Sequence, residues 1–238
     1  MVIVTGASAG IGAETARLFA RHGAKVALVA RSTDKLKAVA AHLPDSLVVP
    51  TDLRDPAAVQ AMVDIVMTQL GRIDVLVNNA GQAQYGPVER ADLNEFRQIV
   101  ELNVYAPLVA MQAVTPIMRS QGGGVIVNVS SMVSKMFIPG LATYASTKYA
   151  LNALTLTARA ELAPDNIRVG VVYPRLTNTD FGRNALGMRR TERPAGMPAG
   201  DSPELVAKRI LDAVESERAE TYMDETPPEQ GAWPGTSG

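Results

Sequence analysis

Short continuous runs of apolar, largely β-branched residues recur along the chain at positions 2–4, 25–30, 47–49, 75–77, 125–129, 168–172 and 220–223. Continuous runs, unlike alternating ones, suit strands covered on both faces, as in parallel sheets. Between them, apolar residues take helical spacing over 11–22, 33–42, 56–70, 93–119, 142–162 and 203–216. Asp34, Asp55, Asp92 and Ser202 stand near expected helix N-termini, where short polar side chains accept from free backbone N–H groups. Repeated β-α-β units take the right-handed crossover, so the expected fold is α/β, a doubly wound parallel sheet of about seven strands with helices on both faces. One domain is expected over residues 1–225, with a loosely held Gly/Pro-rich tail over 226–238.

Chemistry gathers at the ends of these strands. Thr5-Gly6-Ala7-Ser8-Ala9-Gly10-Ile11-Gly12 follows the first strand and opens the first helix, where glycines let a pyrophosphate approach backbone N–H groups at the positive helix end. The spacing is neither G-x-G-x-x-G nor a P-loop, and a plain strand-to-helix turn would share it. After the second strand, where an acid usually binds the adenosine ribose, stand Ala30, Arg31 and Ser32. A guanidinium there suits a 2′-phosphate, so NADP(H) is the expected cofactor, with NAD(H) still possible. Asp52 and Leu53 could flank an adenine, or Asp52 could serve a turn or helix cap.

Asn78-Asn79-Ala80-Gly81 ends the fourth strand, Asn103 lies inside the next helical stretch, and Ser130-Ser131 ends the fifth strand. Tyr144-Ala145-Ser146-Thr147-Lys148 sets a phenol and an ammonium one helical turn apart. A neighbouring cation favours the phenolate and would lower its pKa toward working pH, although the same spacing also occurs on ordinary solvated helix faces.

Composition narrows the classes. A net charge of −1 offers no footprint for nucleic acid, and no apolar run is long enough to span a membrane. With no cysteine, thiolate metal sites and disulfides are excluded, and the cytoplasm is the expected compartment. His22 and His42, the two histidines, fall near helix ends, which leaves a catalytic triad or a metal centre without support.

Taken together, Thr5-Gly6-x-x-x-Gly10-x-Gly12, Asp52-Leu53, Asn78-Asn79-Ala80-Gly81, Asn103, Ser131, Tyr144-x-x-x-Lys148 and the stretch from Pro174 to Thr179 resemble the classical short-chain dehydrogenases/reductases in order and spacing. The resemblance implies a Rossmann fold and an enzyme that interconverts a carbonyl and a secondary alcohol by hydride transfer. It implies Tyr144 as general acid/base and Ser131, thirteen residues earlier, as the hydroxyl that binds the substrate oxygen. Lys148 would lower the tyrosine pKa and bind the nicotinamide ribose, and Asn103 would position a water. Gly6, Ser8, Gly10, Ile11, Gly12, Arg31, Asp52, Leu53, Asn79, Ala80, Gly81, Pro174 and Thr179 would complete the cofactor site. Homodimers or homotetramers through helices 93–119 and 142–162 are expected, with a small carbonyl or alcohol as the other partner. Arg175 replaces the family's glycine after Pro174, and Ala9 stands where many NADP-using members carry a basic residue. Residues 181–201, with Arg183, Arg189, Arg190 and Arg193, are expected to form a substrate lid suited to an acidic or polar-headed carbonyl. The alternative function is a non-catalytic NADP(H)-binding regulator or scaffold of the same fold.

Overall fold

The computed structural model describes residues 1–187, 199–216 and 218–224. In chain order its elements are β1 (Val2–Thr5), α1 (Gly10–Arg21), β2 (Val26–Ala30), α2 (Thr33–Ala40), β3 (Leu47–Pro50), α3 (Pro56–Leu70), β4 (Val75–Asn78) and β5 (Gln84–Tyr85). There follow α4 (Leu93–Val100), α5 (Ala106–Ser120), β6 (Gly124–Val129), α6 (Ala142–Leu162), β7 (Ile167–Tyr173), β8 (Leu186–Gly187), α7 (Pro203–Glu215) and β9 (Glu220–Tyr222). Seven strands pair in parallel in the order β3-β2-β1-β4-β6-β7-β9, the doubly wound sheet expected from the apolar runs. The order reverses between β1 and β4, and at such a switch the strand ends part to leave a crevice.

Local chemistry sets the helix ends. Asp55 accepts from Ala57 N–H at 2.9 Å to start α3, and Gly71, at φ +77°, ends it in the left-handed conformation. Asp92 accepts from Asn94 and Glu95, and Ser202 from Leu205, each opening a helix. His22 Nδ1–H donates to Leu18 O at the end of α1, so this histidine serves a helix terminus.

Helix 93–119, expected to be continuous, departs from plan at the site. The α-helix stops at Val100, a π-helical turn runs over Glu101–Tyr105, and α5 resumes at Ala106. Pro107 explains the interruption, since its ring crowds the carbonyl four residues back, that of Asn103, and it brings no N–H to the ladder. The wider turn absorbs both effects and places Asn103 in full burial.

Apolar cores lie on both faces of the sheet, one built around Val4, Leu28, Val77 and Val127, the other around Ile3, Val29, Leu76 and Ile126. A buried polar ladder adjoins the second core, on the face that α6 covers. Asn78 Nδ2 donates to Asn128 Oδ1 and Asn128 Nδ2 to Thr155 Oγ1, both at 2.8 Å, which joins β4, β6 and α6. Replacing Asn128, fully buried, should leave a cavity and unpaired partners. Asn128→Ala is expected to cost about 2 to 4 kcal/mol, read as a lowered urea midpoint with an unchanged slope.

Candidate active site

The turn after β1 is shaped by what it lacks. Gly6 and Gly10 take φ +68° and +54°, and a Cβ on Gly12 would fall 2.3 Å from Gly6 O, so only glycine fits there. Ala9 precedes α1 without any side-chain cap, leaving its first N–H groups, around Ile11, open to an anion. Ser8 is half-buried beside them. Asn79 closes the floor: its Nδ2 donates to Thr5 O at 2.9 Å, and Thr5 Oγ1 accepts from the N–H groups of Asn79 and Ala80. Thr5, Leu53, Asn78, Ala80 and Leu102 line a recess beside this floor. Arg31 lies exposed at the end of β2.

Asp52 takes the turn role, accepting from Arg54 N–H at 3.1 Å on its side chain and from Asp55 N–H on its carbonyl, and it gains a salt bridge as well. Arg54 chelates it through Nε and a terminal nitrogen at 3.2 and 2.8 Å, and those hydrogen bonds hold the Asp52 carboxyl below its ordinary range. The Arg54 partner is a residue that sequence reasoning missed, although a salt bridge two residues apart leaves no periodic signal.

Tyr144, Ser131, Lys148 and Asn103 converge at the carboxyl ends of β4 and β6. Tyr144 is almost wholly buried, and the Ser131 hydroxyl lies close enough to its phenol to favour the ionised form. Ser131 Oγ also accepts from Val133 N–H at 3.3 Å as the cap of a single 3-10 turn, Met132–Lys135. Ser130 plays a different part, donating to Asn152 Oδ1 at 2.6 Å in the interior. Lys148 Nζ, also buried, donates to Val129 O at 2.9 Å and lies 5.9 Å from the Tyr144 ring centre. Asn103 spends both amide hydrogens, on Gln82 O at 2.8 Å and Thr147 Oγ1 at 3.0 Å, while its Oδ1 accepts from Gln82 N–H. One Oδ1 lone pair is left. A Cβ on Gly81 would sit 3.2 Å from that oxygen and 3.6 Å from Lys148 Nζ, so the glycine keeps the space between them clear.

The expected lowering of the tyrosine pKa is not met in the bare protein. Burial pushes the Tyr144 phenol up, Ser131 offsets this in part, and Tyr85 nearby raises it further. Burial also pushes Lys148 down to about 8. Phenol and amine thus each favour the neutral form in this geometry, because both were taken out of water.

Three comparisons bear on this arrangement. The chain matches the short chain dehydrogenase family over residues 1–189. It belongs to that family. It is 41% identical over 188 residues to the 3alpha-hydroxysteroid dehydrogenase of Mediterraneibacter gnavus, covering 76% of this chain and 75% of that one. A short-chain dehydrogenase from Sphingobium yanoikuyae in complex with NADPH superposes with a TM-score of 0.82 at 32% identity, over 93% of this chain and 86% of the other. The 3-ketoacyl-(acyl-carrier-protein) reductase of Brucella melitensis, complexed with NADH, gives 0.83 at 28% identity over 93% of each. The protein is therefore an NAD(P)-dependent oxidoreductase.

Against the pattern of short-chain dehydrogenases, Arg175 now has an explanation. Its guanidinium meets Asp201 through two bonds of 3.1 Å and Asp224 at 2.6 Å, tying the loop after β7 to the approach to α7 and the exit of β9. Thr177 pairs with Asp201 in a parallel bridge, and Asn178 Nδ2 donates to Gly200 O. Thr179 lies against Gly10, and its hydroxyl accepts from Phe181 N–H. Of the expected lid, residues 188–198, including Arg189, Arg190 and Arg193, lie outside the described residues, as does the tail over 226–238. What is described is aromatic toward the site: Phe181 packs on Tyr144 at 5.8 Å between ring centres, and the β5–β8 pairing brings Tyr85 alongside. Arg183 instead pairs with Asp180 in solvent. Among the described residues no metal-binding cluster occurs, and no helix is long and apolar enough to cross a membrane.

The Lys148 shift predicts a pH dependence of stability. Its folded pKa near 8 lies below the ordinary 10.5, so the unfolded chain binds the extra proton between those values. The penalty for burying its charge is present in full below about pH 8 and is relieved as pH rises toward 10.5. Urea unfolding of the parent and Lys148→Met should show the difference moving in the parent's favour by up to about 3 kcal/mol over that window.

Proposed function

We propose that this protein reduces a carbonyl to a secondary alcohol, and reverses the step, with Tyr144 as general acid/base and NADP(H) as preferred cofactor. The observation that carries this reading is the buried Tyr144 phenol beside the Ser131 hydroxyl, with the Lys148 amine 5.9 Å from its ring centre. The residues fit a dinucleotide: the Gly6–Gly12 contact leaves room only for backbone beside a phosphate, and Gly81 leaves a gap between Asn103 and Lys148 for hydroxyl groups. A bound nicotinamide supplies or accepts the hydride.

The side chains divide the remaining work. The phenol of Tyr144, kept protonated by burial, gives its proton to the carbonyl oxygen as negative charge builds there. Ser131, its oxygen already steadied by the Val133 N–H, directs its own hydrogen to the same oxygen. Lys148, now on the Val129 carbonyl, would hold the ribose hydroxyls of a bound cofactor, and its charge would favour the phenolate left behind. Asn103 fixes the Gly81-Gln82 backbone against α6, and its spare lone pair can hold a water for proton resupply. Pro174 and Thr179 are assigned to the nicotinamide end, and Asp52, held by Arg54, with Leu53 to the adenine end. The aromatic surroundings, Tyr85 and Phe181, favour a carbonyl with apolar bulk beside it.

Tyr144→Phe keeps the ring and removes the proton. NADPH affinity by fluorescence titration should hold, while NADPH oxidation with a reactive dicarbonyl or quinone should fall on the order of 10² to 10⁴. Undiminished turnover would remove Tyr144 from the mechanism, and a parent that binds NADPH but reduces nothing across a broad panel would favour a regulator.

Cofactor preference rests on Arg31, exposed beyond Ala30 and near enough to Asp52 to act on its charge. A charged hydrogen bond to the 2′-phosphate is worth about 1.5 to 3 kcal/mol, so Arg31→Ala should erase roughly ten- to hundredfold of preference. Equal kcat/KM with NADPH and NADH in the parent would end the claim.

Self-association is proposed through the outer faces of the helical stretch 93–119 and of α6, where Tyr105 of the π-helical turn and Tyr149 and Leu156 of α6 remain 58%, 40% and 37% exposed. Light scattering at micromolar concentration should return a dimer or tetramer, and a monomer would refute it.

A further inference from the structure

We propose that the Lys135–Glu220 ion pair, with Tyr173 and Tyr222, is a positioning device for the Ser131 hydroxyl; the inference rests on the function proposed above. The turn that Ser131 caps, Met132–Lys135, is a single 3-10 turn, a form with weak hydrogen-bond geometry of its own. Something outside it must fix its orientation. At its start, Ser130 N–H donates to Val172 O at 2.8 Å and Met132 N–H to Pro174 O at 2.9 Å. At its end stands Lys135, whose Nζ donates to Glu220 Oε1 at 2.9 Å.

That oxygen is heavily used. It also accepts from Tyr173 OH at 2.6 Å and Tyr222 OH at 3.2 Å, and Lys135 Nζ lies 4.7 Å from the centre of the Tyr173 ring. The two tyrosine rings stack at 4.8 Å, one from β7 and one from the edge strand β9. For Lys135, burial opposes the charge, but the hydrogen bond and charge of Glu220 outweigh it and hold the ammonium above its ordinary range. A closed circuit results. It runs from Ser131 through Met132 to Pro174, back one residue to Tyr173, across to Glu220, and through Lys135 to the foot of the same turn. The pair is mostly covered, with side chains 15% and 33% exposed, and it ties the end of the turn to β9. Its members are positioning residues that touch no substrate.

The test uses the full chain, NADPH and any carbonyl the parent reduces. Lys135→Met and Glu220→Gln should each lower kcat on the order of tenfold or more while the NADPH dissociation constant stays within about twofold, since a slightly misplaced group slows chemistry without loosening remote contacts. Lys135→Arg should restore most of the rate. In a Ser131→Ala background neither substitution should lower kcat further, because two changes acting through one group do not add. The same fold loss with and without Ser131, or no loss, would overturn the proposal. Hydrogen exchange over residues 131–136 reads positioning without turnover. Faster exchange confined to that segment in folded Lys135→Met or Glu220→Gln supports the proposal even if the parent reduces nothing, an outcome that would sink the enzymatic reading alone. Unchanged exchange there in both variants would sink the positioning.

Discussion

The inward face of α6 is polar, and the site hangs on that fact. Tyr144, Thr147, Lys148, Asn152 and Thr155 follow one another at helical spacing on the buried side, where apolar residues would normally sit. Each must find a partner, and each finds it on a different piece of backbone or side chain: Ser131, Asn103, Val129, the Ser130–Ser134 pair and Asn128. Apolar packing tolerates a small slide of one helix along a sheet. A row of directional bonds does not, because a shift would leave several buried groups unpaired, at about 1 to 3 kcal/mol each. The register of α6 is thereby fixed against the sheet, and with it the height of the phenol above the strand ends.

This face also holds a cost. An ammonium with the Val129 carbonyl as its hydrogen-bond acceptor, and a phenol pressed by an aromatic neighbour, are both short of the solvation they had in the unfolded chain. The surrounding ladder of amides and hydroxyls keeps them there. Strain of this sort is what a binding site can release, since a ligand that brings hydroxyl groups to the amine improves a contact the protein alone leaves incomplete.

The fold could be read from the chain because parallel strands buried on both faces give continuous apolar runs, as six of the seven did; the edge strand β9, Glu-Thr-Tyr, carries a weaker signal. The glycines were readable for a similar reason: the space beside Gly12 admits no side chain. The π-helical turn was less visible. Its signal, Pro107 four residues after Asn103, lay in the sequence but competes with a strong helical period on either side. Arg175, which stands where the family has glycine, cross-links the loop after β7, and nothing in a linear sequence joins position 175 to 201 and 224. The same holds for Glu220 beneath Lys135. The polar face of α6 was masked in another way, because its outer side is apolar too, with Leu156 and Tyr149 in view of solvent, so no single stripe marks the core.

Arg175 and its neighbours carry one more implication. By gripping Asp201 with two bonds and bridging Thr177 to it, the protein brings together the two ends of the stretch over residues 178–200 before any of that stretch has to be specified. Once the ends of a loop are pinned, lengthening it costs little: a doubling adds only about 0.6 kcal/mol of closure entropy. The tie between the two feet is thus independent of how many residues separate them, and insertions or deletions there leave the sheet and the glycine turn where they are.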